Sequence, residues 1–271
     1  MSTFSASLDP YRPGDSPLHR MDARVKLPFT LVFILVTSTL PNAAWVAYLL
    51  LWVILLSLAS ISSLGIPMML KRALLAIPFM LAAVPLLFTG PEPRITLFSI
   101  NQWTLVISQP GLIRLLSIAV KSWLSVQAAI LLSATTPFSQ IAVALRAMHI
   151  PKLFVGVLSL MWRYLFMMVD QTARLLRARA SRSGTLANRP EIHSGGGLRW
   201  RARVTGGMAG NLFLRSLERS DRVYSAMLSR GYDGEQRSLP VPPLARLDWG
   251  ILLIGCLILI LIAFIGFLTG G

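Results

Sequence analysis

The chain is poor in the residues that most chemistry needs: one cysteine, three histidines and 11 acidic residues among 271. A single thiol, Cys256, set in the last apolar run, excludes a disulfide framework and a thiolate metal site; it reads as a small apolar residue. His19, His149 and His193 are scattered without ligand spacing, which argues against a resident metal. No Gly-x-x-x-x-Gly-Lys-Ser/Thr occurs, so the chain lacks the phosphate cradle of an ATPase. Gly195-Gly196-Gly197 has neither the following Lys-Ser/Thr nor a preceding strand and reads as a hinge. The formal net charge of +15 comes with no nucleic-acid-binding motif, which excludes that class.

Charge of either sign is also scarce, at 14% of residues, against 54% hydrophobic residues and a mean hydropathy of +0.64. That is more apolar surface than one soluble core uses, and the expected class is an all-α polytopic membrane protein. Residues 1–26 carry Pro10, Pro13 and Pro17, with the apolar run starting too late for a signal peptide, and read as a cytoplasmic segment ending in Arg20, Arg24 and Lys26. Residues 27–134 are expected to form a four-helix membrane region. Leu27 to Leu40, whose helix is expected to start a turn earlier, and Ala43 to Ile61 are separated by the turn signal Pro41-Asn42. Lys71 and Arg72 mark an inner loop before Ala73 to Thr89, a span kinked by Pro78 and Pro85; residues 90–110 form a turn-rich outer segment, and Leu112 to Ala134 crosses inward. A last span covers residues 249–269, giving about five transmembrane helices.

Residues 135–248 are expected to form a helical cytoplasmic coupling domain. Leu153 to Val169 is apolar enough to span, yet carries Arg163. Crossing there would also place the 14 arginines and 6 acids between Gln171 and Asp248 on the outer face, against the positive-inside rule. The stretch from Arg163 to Arg182 has no glycine or proline, and its apolar face fades into an arginine face, as in a helix leaving a greasy environment for a wet one. A second helix is predicted from about Gly210 to Arg230, with Gly231 as its stop. Each helix therefore ends on an arginine, a residue whose planar fork stays charged at an interface and whose position suits the helix macrodipole.

Several segments together carry a resemblance: Met21-Asp22-Ala23-Arg24-Val25-Lys26-Leu27 entering the first span, Ala134-Thr135-Thr136-Pro137-Phe138 closing the fourth, Arg163-Tyr164 with Asp170, and Ser220 to Gly234 around Ser229-Arg230-Gly231. In this order, over residues 20 to 269, the chain resembles the CbiQ family, the transmembrane T components of energy-coupling factor (ECF) transporters in the cobalt and nickel branch. The resemblance implies that Ser181, Arg182 and Ser183, and Ser229, Arg230 and Gly231, dock into two cytoplasmic ABC-type ATPase subunits. Both triplets have serine where the family has alanine, and the first has Ser183 where the family has glycine. The resemblance further implies no cofactor in this chain, with ATP and Mg bound by the partners. It implies a substrate-binding membrane subunit of the CbiM or NikM type as partner, with or without a small accessory membrane subunit, and a multi-pass place in the bacterial or archaeal plasma membrane among its lipids. The chain would then be non-catalytic, transmitting ATPase motion to the subunit that captures cobalt or nickel.

Two basic residues fall in the fourth span, where charge is expensive. Arg114 is close enough to the outer end to snorkel. Lys121 is deeper and is a candidate functional charge, either lining a contact with the substrate subunit or pairing inside the bundle. Asp170 is spaced to pair with Arg174. The competing readings are a secondary transporter, although no internal repeat or acid within the spans supports it, and a scaffold whose basic domain lies on anionic headgroups.

Overall fold

A computed structural model describes residues 10–62, 65–87, 94–100, 103–182, 197–234 and 243–270. The chain divides into two compact units, one of Tyr11–Ala147 with Val241–Gly271 and one containing Met148–Pro240.

The first unit is an apolar helix bundle. A one-turn helix α1 (Pro17–Arg20), capped by the Ser16 side chain, leads into α2 (Ala23–Thr39), where the Asp22 carboxylate accepts from the Arg24 N–H at 2.9 Å. Helix α2 thus starts a turn before Leu27, as expected. Helix α3 (Trp45–Ile61) follows, a shorter apolar helix. The chain then breaks into short pieces: α4 (Ile66–Ala73), a 3-10 turn (Leu74–Ala76), α5 (Ile77–Ala82) and a second 3-10 turn (Val84–Leu87).

The expected kinked helix over residues 73–89 is therefore a broken one, and Lys71 and Arg72 are helical rather than in a loop. A proline inside a helix removes a donor and clashes with the preceding turn, so Pro78 opens α5 and Pro85 falls in the second 3-10 turn. Within the turn-rich segment 90–110 the chain forms an antiparallel hairpin, β1 (Arg94–Ile100) and β2 (Trp103–Ser108), the one departure from helix among the described residues. Its register runs from Arg94 opposite Ser108 to Ile100 opposite Trp103.

Ser108 then caps α6 (Gln109–Thr135), a 27-residue span. Helix α7 (Phe138–Ala147) packs on α2 through Ala144 against Ala23 and Leu27. Residues 138–147, assigned from sequence to the coupling domain, belong to the compact unit of the bundle, and the division falls after Ala147. Helix α10 (Arg246–Thr269) completes the bundle.

Lipid tails are as apolar as leucine, so close packing rather than water exclusion holds such helices together. Phe33, Leu51 and Leu259 are fully buried among the alanines 44, 47, 59 and 128. Glycines let α10 approach closely: a Cβ on Gly255 would lie 2.8 Å from the Phe29 ring, and one on Gly270 would lie 2.8 Å from Pro41. The corner at residues 40–44 is clamped from several sides. Tyr48 Oη donates to Pro41 O at 2.7 Å, and Ala43 N–H donates to Ser117 Oγ at 3.1 Å.

The second unit contains two helices of 31 residues each, α8 (Lys152–Arg182) and α9 (Leu198–Leu228). Helix α8 runs unbroken through the stretches read separately as Leu153 to Val169 and Arg163 to Arg182, and Arg163 is exposed on it. By length and composition α6, α8 and α10 are each apolar and long enough to cross a membrane, with α3 a shorter apolar helix. Helix α9 begins at Leu198, twelve residues before the expected start at Gly210. Gly206, Gly207 and Gly210 each cost about 1 kcal/mol of helix propensity, which the flanking arginine, alanine and leucine positions outweigh.

Candidate functional site

Helices α8 and α9 pair in opposite directions. Arg179 on α8 donates to Thr205 Oγ1 at 2.8 Å and lies 6.0 Å from the centre of the Trp200 ring. Further back along α8, Met167 Sδ meets Arg219. As numbers rise on α8 they fall on α9, so the C-terminal ends of the two helices point away from each other. Continuing that alignment puts Arg230 level with about residue 155 of α8. With ~1.5 Å per residue, Arg182 and Arg230 stand roughly 40 Å apart along the pair. The two arginines are not brought together, and each stands at its own extremity.

The two ends are built differently. Helix α9 closes in a Schellman motif: Gly231 takes φ +78°, its N–H bonds Leu228 O at 2.9 Å, and Tyr232 N–H bonds Met227 O at 3.0 Å. Only a residue without a Cβ takes that backbone cheaply. Arg230 is the exposed residue immediately before it, and Ser229 Oγ turns back to Ala226 O at 3.1 Å. On α8, Arg182 is the last helical residue and is exposed, while Ser181 Oγ bonds Ala178 O at 2.9 Å. Arg179, one turn earlier, ties that end to α9. Ser183 lies outside the described residues, as do His193, Gly195 and Gly196.

The faces between these ends are bare. Helix α8 buries Val155 and Gly156 and α9 buries no residue, while Leu153, Phe154, Val157, Met161, Phe213, Leu214 and Leu217 stand exposed. Arg174 Nε donates to the backbone carbonyl of Asp170 at 3.4 Å.

Lys121 belongs to the other unit. Its ammonium donates to Leu40 O, the carbonyl just past the end of α2. The sequence reading missed the counterpart. Lys26, read as a positive-inside marker, is buried, and its Nζ donates at 3.2 Å to Thr135 O at the end of α6. Each of the two antiparallel helices α2 and α6 thus sends a lysine to the carbonyl end of the other, where the macrodipole favours a cation and a carbonyl lacks a helical donor. Arg114 is exposed in the second turn of α6. Among the described residues no group of three or more His, Cys, Asp or Glu side chains is placed to hold a metal ion.

An apolar bundle with lysine-capped helix ends and, in the second unit, a basic pair of long, bare helices define a multi-pass membrane protein. The cobalt transport protein family CbiQ matches residues 14–240, and the chain belongs to that family, the membrane T components of ECF transporters in the cobalt and nickel branch. It is accordingly a multi-pass protein of the plasma membrane. An uncharacterized protein of Methanocaldococcus jannaschii is 26% identical over 250 residues, covering 89% of this chain and 82% of that protein. The energy-coupling factor transporter transmembrane protein EcfT of Lactococcus lactis is 27% identical over 234 residues, 83% of each chain. The nickel permease LarQ of Lactiplantibacillus plantarum is 33% identical over 100 residues, 37% of this chain and 33% of that one.

Proposed function

We propose that this chain is the energy-coupling membrane subunit of an ATP-driven importer for cobalt or nickel ions, and that Arg182 and Arg230 are its contacts with two cytoplasmic ATPase subunits. The observation that carries the reading is the pair of exposed arginines at opposite extremities of one antiparallel helix pair. Roughly 40 Å of separation, from ~1.5 Å per helical residue, suits two separate proteins better than one pocket. Each guanidinium sits at a helix C-terminus, where the carbonyl end favours a cation and where it can enter a groove as a charged fork.

The chain itself binds neither nucleotide nor cargo. ATP and Mg are held by the ATPases, and the metal ion by a separate substrate-binding membrane subunit. When the ATPases approach and separate, α8 and α9 follow at their ends. The bare apolar faces of those helices are the surface through which motion passes to the substrate-binding subunit. The lysine caps keep α2 and α6 from sliding past each other meanwhile, which is the role we assign to Lys121.

Co-expression of the chain with the ATPase subunits of its own genome tests this. Wild type is expected to retain both ATPases through detergent purification, and Arg182→Glu with Arg230→Glu to lose them while still inserting in the membrane. Truncating one partner of a buried interfacial charge pair costs about 2–5 kcal/mol, so the double reversal should weaken binding by on the order of a thousandfold. Unchanged assembly in the double variant refutes the docking assignment. Failure of wild type to bind any ATPase favours a secondary transporter or a lipid-bound scaffold.

A further inference from the structure

The bundle is clamped at the corner of residues 40–44 and has a crevice at its opposite end. Between α2, α3, α6 and α10 lies a crevice of about 340 Å³ whose lining includes Met21, Phe29, Phe33, Leu131, Ile251 and Ile254. Every contributing stretch comes from the end of its helix nearest the basic N-terminal segment: the start of α2, the finish of α3 and α6, and the start of α10. The side chains lining it are apolar except Lys26, Thr30 and Thr135. Both threonine hydroxyls are committed to their own helices, Thr30 to Lys26 O and Thr135 to Leu131 O, each at 2.8 Å. Water has little to bond there, since an ordered water needs two to four polar partners.

Lys26 is the exception. Its side chain is only 5% exposed and lines the crevice, and Thr135 O is the acceptor found for it among the described residues. An ammonium carries three donors; besides Thr135 O, the Asp22 carboxylate one turn earlier on the same chain acts on its charge, and the rest of its setting is apolar. Arg20, Arg24 and Arg246 lie at the same end of the bundle. The neighbouring carboxylates are Asp22, which caps α2 and lies 3.9 Å from Arg24, and Asp248 in the first turn of α10. The rim is therefore net cationic and the interior apolar.

We propose that this crevice binds one anionic glycerophospholipid of the inner leaflet, with its phosphate on Lys26 and one acyl chain along the apolar lining. The size agrees: at roughly the ~30 Å³ that a water molecule takes in the liquid, the space holds on the order of ten methylenes. An acyl chain restores the dispersion contacts that an empty crevice forfeits, and the phosphate adds charged acceptors to the carbonyl that Lys26 already holds. A neighbouring protein helix would fill the space but bring no anion to Lys26.

The full-length chain in dodecyl maltoside, titrated with dioleoylphosphatidylglycerol or dioleoylphosphatidylcholine and read by native mass spectrometry, decides the matter. Wild type is expected to hold one phosphatidylglycerol about tenfold more tightly than phosphatidylcholine. Lys26→Gln, whose amide still donates to Thr135 O, should abolish that preference. Ile251→Trp, which places bulk at the mouth, should weaken both lipids whatever the stability of the lysine variant. Arg72→Gln on α4, away from the crevice, should bind as wild type. Equal retention of the two lipids by wild type overturns the proposal. So does an equal loss in Arg72→Gln, which means diffuse surface charge, or unchanged binding in Ile251→Trp.

Discussion

The two units of the chain use helices in opposite ways. In the bundle, glycine and alanine bring helix backbones together, lysines close helix ends across the core, and Phe33, Leu51 and Leu259 are fully enclosed. In α8 and α9, helices nearly twice as long as α2 bury almost nothing and carry arginines along their length, with exposed Arg182 at the end of α8 and exposed Arg230 just past the end of α9. The first arrangement satisfies itself. The second leaves its apolar faces exposed, for lipid or another protein to cover.

Substitutions of similar size should therefore give opposite results in the two regions. The largest effect is expected at Gly266 in α10, where a Cβ would collide with the Leu40 side chain and come within 3.0 Å of the Ala47 Cβ. Gly266→Val should destabilise the bundle by about 3 kcal/mol through overpacking, read as a lowered thermal midpoint in detergent. Lys121→Met comes next. It strands Leu40 O, and about 2 kcal/mol should be lost, with Lys121→Arg recovering part of it. A full recovery of stability by methionine would show that the lysine is kept for something other than its helix-end bond.

Smaller effects belong to the paired helices. Gly231→Ala forces a Cβ into φ +78° at a cost of about 1 kcal/mol. It should fray the end that presents Arg230, seen as faster amide exchange at Ser229 to Tyr232 and a few-fold weaker ATPase retention, with the bundle's thermal midpoint unchanged. Smallest and opposite in sign is Gly207→Ala on α9, where nothing stands within 4 Å of the new methyl. It should stabilise α9 by roughly 0.5–1 kcal/mol in hydrogen-exchange measurements. A destabilisation there would mean that a partner or helix packs on a face that the structure leaves open.

These same residues show where the sequence was readable. Apolar runs located α2, α3, α6 and α10, because a membrane span is set by length and hydropathy alone. Gly231 announced the end of α9, since a helix stop is written in one residue. The start of α9, expected at Gly210, was not readable, because Gly206, Gly207 and Gly210 weaken the helical signal while the positions around them favour helix. The prolines near residue 80 were visible, but whether they kink a helix or divide it depends on packing against α6. The lysine caps were out of reach for a different reason. Lys26 and Thr135 are 109 positions apart and Lys121 and Leu40 are 81 apart, so only the antiparallel alignment of α2 and α6 pairs them. For the arginine ends, the types and positions could be read, but their separation could not, because it depends on the relative direction of α8 and α9.

That opposed direction has a mechanical consequence. A shove that carries both ends the same way merely translates the beam, whereas opposed shoves turn it as one piece, because the contacts at Arg179–Thr205 and Met167–Arg219 tie the two helices together. A pair so tied is deaf to a displacement common to its two tips and responds to the difference between them.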